Sequence, residues 1–158
     1  MKKKHKKIIR FLSWIIFILY LILMVYFLFF SEQLGRVPSD TYHYNLKPFT
    51  EIKRYITYSR EIGSFNVILN LIGNVICFMP FGFVLPIISI KQRNIFKVTA
   101  LSFLCSMVIE TVQLVSKLGS CDVDDVILNT LGGFAGYVLF SICMGIMHMC
   151  TKASSDKG

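Results

Sequence analysis

No glycine-rich phosphate loop, no G-x-S-x-G nucleophile elbow and no HExxH metal motif occurs in the 158 residues. Their absence takes away the usual signs of nucleotide, serine-hydrolase and zinc-protease chemistry. The three histidines, His5, His43 and His148, are scattered along the chain and suggest no metal site. The five cysteines lack metal or redox spacing. Cys77, Cys105, Cys143 and Cys150 lie in or beside apolar stretches, only Cys121 lies in a polar one, and none is assigned a role. Acidic side chains are scarce, nine against seventeen basic ones. Between Arg10 and Phe30 there is no charge of either sign.

What is present is apolar. Hydrophobic residues make up 54% and the mean hydropathy is +0.62, whereas soluble domains run at roughly 45–50% apolar. The length allows one domain or one small helical bundle. The net charge is +8, and six of the seventeen basic residues sit in MKKKHKKIIR. That cluster abuts a long apolar run, which points to a membrane surface and away from nucleic acid.

Four segments predict an all-α integral membrane protein with about four transmembrane helices. The first, Ile8–Phe30, offers about 20 apolar residues, enough to cross ~30 Å of hydrocarbon. SEQLG after it is no cleavage site, so it reads as a retained anchor. The others are Val67–Ile90, Ile95–Lys117 and Asp125–Met149. Basic residues set the orientation. With both termini inside, eleven lie on the cytoplasmic side and six outside, and the short KQRN turn is the clearest vote. The expected organisation is a basic cytoplasmic N-terminus (1–7), helix 1 (8–30), an extracellular loop (31–66), a helical core (67–150) and a cytoplasmic tail (151–158). This describes a multi-pass protein of the plasma membrane.

Polar residues inside the apolar segments form stripes. Asn66, Asn70 and Asn74 recur every four residues and share a helix face. Ser106, Glu110, Gln113 and Lys117 form another. Glu110 lies about seven residues from its segment's outer end, roughly 10 Å deep. Asp125 and Asn129 are one turn apart in the last segment, preceded by Asp122 and Asp124. Threaded through the topology, Glu110, Gln113, Asp122, Asp124, Asp125, Asn129 and Asn74 converge on a polar site open to the outer leaflet. Plainer roles compete with that reading. Amides glue helices together at about 0.6 kcal/mol per contact, and an Asp before a helix caps its free N–H groups. Glu110 is harder to explain as structure. A carboxylate at depth costs about 2.5–3.5 kcal/mol or more, and so marks function by default.

Other features read as structural. Gly132 and Gly136, four residues apart, allow close helix approach. Pro80 and Pro86, with Gly82 between them, predict a kink. The outer loop is rich in aromatics. Its Thr50–Ile62 stretch opposes Ile52, Tyr55, Ile56 and Ile62 to Lys53, Arg54 and Arg60. It reads as a short interfacial helix or an irregular loop, able to cover the polar site.

Four motifs, NLKPF (Asn45–Phe49), NVICFMPFG (Asn74–Gly82), IETVQ (Ile109–Gln113) and DVDDVILNTLGGFAG (Asp122–Gly136), occur in that order. On them the chain resembles the VanZ-like family, whose namesake is associated with teicoplanin resistance in Gram-positive bacteria. The resemblance implies a resistance-associated membrane protein. It maps onto Glu110, Gln113, Asp122, Asp125, Asn129, Thr130, Gly132 and Gly133. Asp124 matches the pattern least, so tolerance to substitution is expected there.

Two function classes follow. One is a non-enzymatic membrane factor that binds a lipid-linked cell-wall precursor or a lipoglycopeptide's acyl tail. The alternative is an intramembrane metal-dependent enzyme, with Glu110, Asp122 and Asp125 as oxygen ligands, acting on a lipid head group. A small transporter with Glu110 as proton relay is a third reading, disfavoured by four helices without a visible inverted repeat. The expected partners are membrane lipids and no nucleic acid, with homo-oligomerisation left open. No cofactor or resident metal is expected.

Overall fold

Three helices meet where the sequence places its small residues. The computed structural model describes residues 3–30, 42–117 and 119–155. Residues 1–2, 31–41, 118 and 156–158, on which parts of the N-terminal, loop and tail expectations fall, lie outside the described residues. The elements in chain order are α1 (Lys3–Phe30), β1 (His43–Asn45), α2 (Thr50–Thr57), α3 (Ser59–Ile62), α4 (Ser64–Ile88), a 3-10 turn (Ile90–Gln92), α5 (Ile95–Ser116), β2 (Ser120–Asp122) and α6 (Val123–Ser155). Four of them, α1, α4, α5 and α6, are long and apolar enough to cross a membrane. The chain is a multi-pass membrane protein.

α1, α4 and α6 begin before the apolar segments read from sequence, while α4 ends two residues and α5 one residue earlier than expected. α4 begins at Ser64 and α6 runs from Val123 to Ser155, because polar residues at a membrane boundary continue a helix once its backbone bonds are in place. α4 stays helical through Pro80 and Pro86. Asn94 starts α5 by accepting the Lys97 N–H at 3.2 Å, after a turn in which Arg93 Nε donates to the Pro86 carbonyl.

α6 is the central element, packed on α4 and α5. A methyl group on Gly132 or Gly136 would strike the backbone of Val75 or Met79, and one on Gly82 would strike the Gly133 carbonyl. A methyl on Gly133 would strike Ser102 of α5. Lipid tails are as apolar as leucine, so burial alone does not drive membrane helices together, and close backbone approach at small residues does much of that work.

α1 packs on α4 through aromatics. The Phe17 and Phe81 rings lie 5.8 Å apart, and Tyr20 donates its hydroxyl to the Cys77 carbonyl at 2.7 Å. Phe17, Met24, Phe78, Phe81, Ile88 and Ile109 form the buried apolar cluster. The outward faces are equally apolar, with Phe11, Ile22, Phe96, Phe103 and Ile146 exposed. In water such a surface would drive aggregation, whereas in a bilayer it meets its own kind.

Candidate functional site

At one end of α4, α5 and α6 the carboxylates of the DVDD stretch fan out to different partners. β2 delivers them. Its strand, Ser120–Asp122, pairs in parallel with β1, placing Tyr44 opposite Cys121 and Asn45 opposite Asp122. Parallel pairing of segments this far apart in sequence leaves no periodic signal in either.

Asp122 is the cap of α6. Its Oδ1 accepts the Asp124 N–H at 2.9 Å and Asn45 Nδ2 at 3.1 Å. Its own N–H donates to Glu110 Oε2 at 2.9 Å. Asp124, 1% exposed, reaches the other way. Its carboxylate accepts the N–H groups of Phe49 at 2.5 Å, Glu51 at 2.8 Å and Ile52 at 3.1 Å. A side chain on α6 thus caps α2, whose preceding N-cap residue, Phe49, holds a left-handed φ of 65° and supplies no side-chain cap of its own. Asp125 accepts Asn74 Nδ2 at 2.6 Å and ties α6 to α4. Three neighbouring acids therefore have three separate structural partners.

The remaining candidates divide. Glu110 and Gln113 are buried on α5, and Glu110 reaches the site through the Asp122 backbone. Asn129 is buried on α6, where its Nδ2 donates to Ser106 Oγ at 2.9 Å. Asn66 donates to the Ile62 carbonyl at the end of α3, and Asn70 donates to the Asn66 carbonyl of its own helix. Asn74 is the member of the stripe whose amide bonds across to another membrane-length helix, α6.

A cleft of about 350 Å³ lies against Asp122, Asp124 and Asp125. The segment between β1 and α4 supplies one wall, with His43, Asn45, Glu51, Arg54 and Tyr55. Leu71 and Leu128 line it from the helices. Arg54 and Glu51 are ion-paired at 2.5 Å. Burial pushes the Asp122 carboxyl above its ordinary range, reinforced by the Asp124 charge and opposed by the bonds from Asp124 N–H and Asn45. Burial likewise raises Glu51, against the pull of Arg54. It also raises the Cys121 thiol, with Glu110 and Asp122 adding to the effect. Four carboxyl groups, of Glu51, Asp122, Asp124 and Asp125, line the cleft against the one guanidinium of Arg54.

Sequence reasoning did not assign the wall residues His43, Glu51, Arg54 and Tyr55 to the site. The amphipathic pattern of Thr50–Ile62 was the available signal, and the segment is helical, as α2 and α3. Among the described residues, no group of three or more His, Cys, Asp or Glu side chains is placed to hold a metal ion. The carboxylates turn oxygens toward N–H groups instead.

No solved structure matches the chain. Protein VanZ of Enterococcus faecium is 32% identical over 127 residues, which span 78% of this chain and 70% of that protein. The VanZ/LLP1 family profile matches residues 17–144, from within α1 to within α6 and across every residue of the cleft. With most of its length matched in this way, the chain belongs to the VanZ/LLP1 family.

Proposed function

We propose that the protein is a non-enzymatic factor of the bacterial plasma membrane that lowers susceptibility to teicoplanin-type lipoglycopeptides. In this reading its cleft binds a lipid-linked cell-wall precursor or the drug's acyl tail at the outer leaflet. The observation that carries the reading is the cleft itself. It combines charged groups, Glu51, Arg54 and the three aspartates, with the apolar Leu71 and Leu128, at the end of three membrane-length helices. An amphiphile has that division of polarity, with a head group for the carboxylates and Arg54 and a hydrocarbon part for the leucines. Family membership and the relative named VanZ support the resistance role. The basic-residue asymmetry supports an N-in, C-in orientation, with the cleft outside.

The aspartates supply charge as well as structure in this reading. Asn retains a carbonyl acceptor for a capping or bridging bond, so Asp122→Asn with Asp125→Asn removes charge while keeping much of the framework. At matched membrane levels, that double variant should lose teicoplanin protection in a Gram-positive host. Arg54→Ala and Tyr55→Ala should weaken it, since neither side chain is buried in the helix that carries it. Full protection in the double variant would end the idea of a charged site.

A further inference from the structure

We infer that residues 43–62 form a strap that lifts away from the helical core to load the cleft, turning about Gly63. The inference rests on the cleft being the functional site and concerns how that site is reached.

The strap forms a wall of the cleft, so a ligand the size of the cavity meets it on entry. Its attachment to the core runs largely through polar groups. α2 and α3 bury no residue, and Tyr44, Leu46 and Ile56 are exposed. Hydrogen bonds that fasten the strap to the core include the three-residue β1–β2 ladder, the Asn45–Asp122 bond and the three N–H groups gathered by Asp124. Segments with few buried apolar contacts open locally at far lower free energy than the core. The hold is concentrated in one carboxylate, and it keeps Phe49 in a left-handed conformation that a side chain disfavours. Release of Asp124 frees both ends of that arrangement at once. At the other end Gly63 joins α3 to α4 with φ 89°, and a Cβ there would meet nothing within 4 Å. Glycine permits a change in φ at this junction.

The β1–β2 register supplies a lock. Tyr44 faces Cys121 across the ladder. Neighbouring strands lie about 4.8 Å apart, inside the roughly 4.4–6.8 Å Cα range that a disulfide spans. In the full chain in membranes, Tyr44→Cys should therefore form a disulfide with Cys121 on mild oxidation. The reporter is Leu128→Cys, placed on the cleft floor in the same chain and read by mass spectrometry of its alkylated peptide. With the strap locked, alkylation by a polar maleimide should slow at least tenfold, and reductant should restore it. The same oxidation should change nothing when Cys121→Ser removes the partner. Equal alkylation rates in the locked and reduced chains would overturn the strap, and failure of the disulfide to form would contradict its closed position. Neither result depends on drug resistance. Failure of the cleft reading would show separately, as full protection in the Asp122→Asn, Asp125→Asn chain.

Discussion

A carboxylate in an apolar segment can be a ligand for something absent or an acceptor for the protein's own N–H groups, and Asp124 shows how far the second role extends. The sequence pattern led us to expect tolerance there, yet Asp124 is buried and accepts three backbone N–H groups from a segment over seventy residues away. Hydrogen bonds to a charged group contribute about 1.5–3 kcal/mol each, and partial rehydration of the freed N–H groups offsets some of the loss. Asp124→Ala should thus weaken the strap's hold by about 2–3 kcal/mol. Trypsin, cutting after Lys53, Arg54 and Arg60, reads this out. It should nick the solubilised variant many times faster than the parent, and equal rates would mean that Asp124 is not the fastening. Asp122 carries a pH consequence. Burial raises its folded pKa above the ordinary 3.8, so the folded state binds the proton more tightly than the unfolded one. Its contribution to stability is fully present below the unfolded value and is lost as pH rises through the raised one. Asp122→Asn removes that titration. On acidification from neutral pH, the parent's melting temperature should gain on the variant's, and a constant gap between the two would contradict the shift.

At the scale of elements, the four long helices were legible because membrane length and apolarity are local properties that a window of sequence displays. Glu110 was legible as an anomaly for the same reason. The asparagine stripe shows the limit of periodicity. Spacing of four places Asn66, Asn70 and Asn74 on one face, but it does not say which of them turns to nearby backbone and which to another membrane-length helix. The cleft wall was not legible as such, since the pairing of His43–Asn45 with Ser120–Asp122 is parallel and non-local. The glycines lie between these cases: Gly132 and Gly136 announced a close approach, and the structure adds Gly82 and Gly133 as its other participants. A methyl on Gly82 meets backbone that cannot rotate aside, so α4 and α6 must part. Such overpacking costs typically 1–3 kcal/mol, and about the upper end of that range is expected here. Gly82→Ala should lower the melting temperature and the monodisperse yield on size exclusion in detergent. Gly73→Ala, on the same helix with nothing within 4 Å of the added methyl, should be neutral or stabilising by up to about 1 kcal/mol. Similar losses in both would show that helix packing is not what the glycines serve.

For the whole molecule, orientation decides what the cleft can meet. The proposed N-in arrangement puts the strap and Cys121 outside and the turn around Gln92 inside. A membrane-impermeant thiol reagent on intact cells should label Cys121 and spare a thiol introduced by Gln92→Cys, and the opposite pattern would turn the cleft toward the cytoplasm. The central claim is that the cleft acts by holding a molecule, and the most direct test fills it. Asn70 lines the cleft, and its amide donates to a carbonyl of its own helix, Asn66. Asn70→Trp therefore adds bulk to the cavity without altering a carboxylate or a strap fastening. Asn66→Trp, one turn away and outside the lining residues, adds the same bulk elsewhere on that helix and gives up one exposed bond, to the Ile62 carbonyl. The measurement is teicoplanin susceptibility of cells carrying each variant at equal membrane levels. Loss of protection with Asn70→Trp and its retention with Asn66→Trp is the predicted result, and undiminished protection with Asn70→Trp would contradict the account.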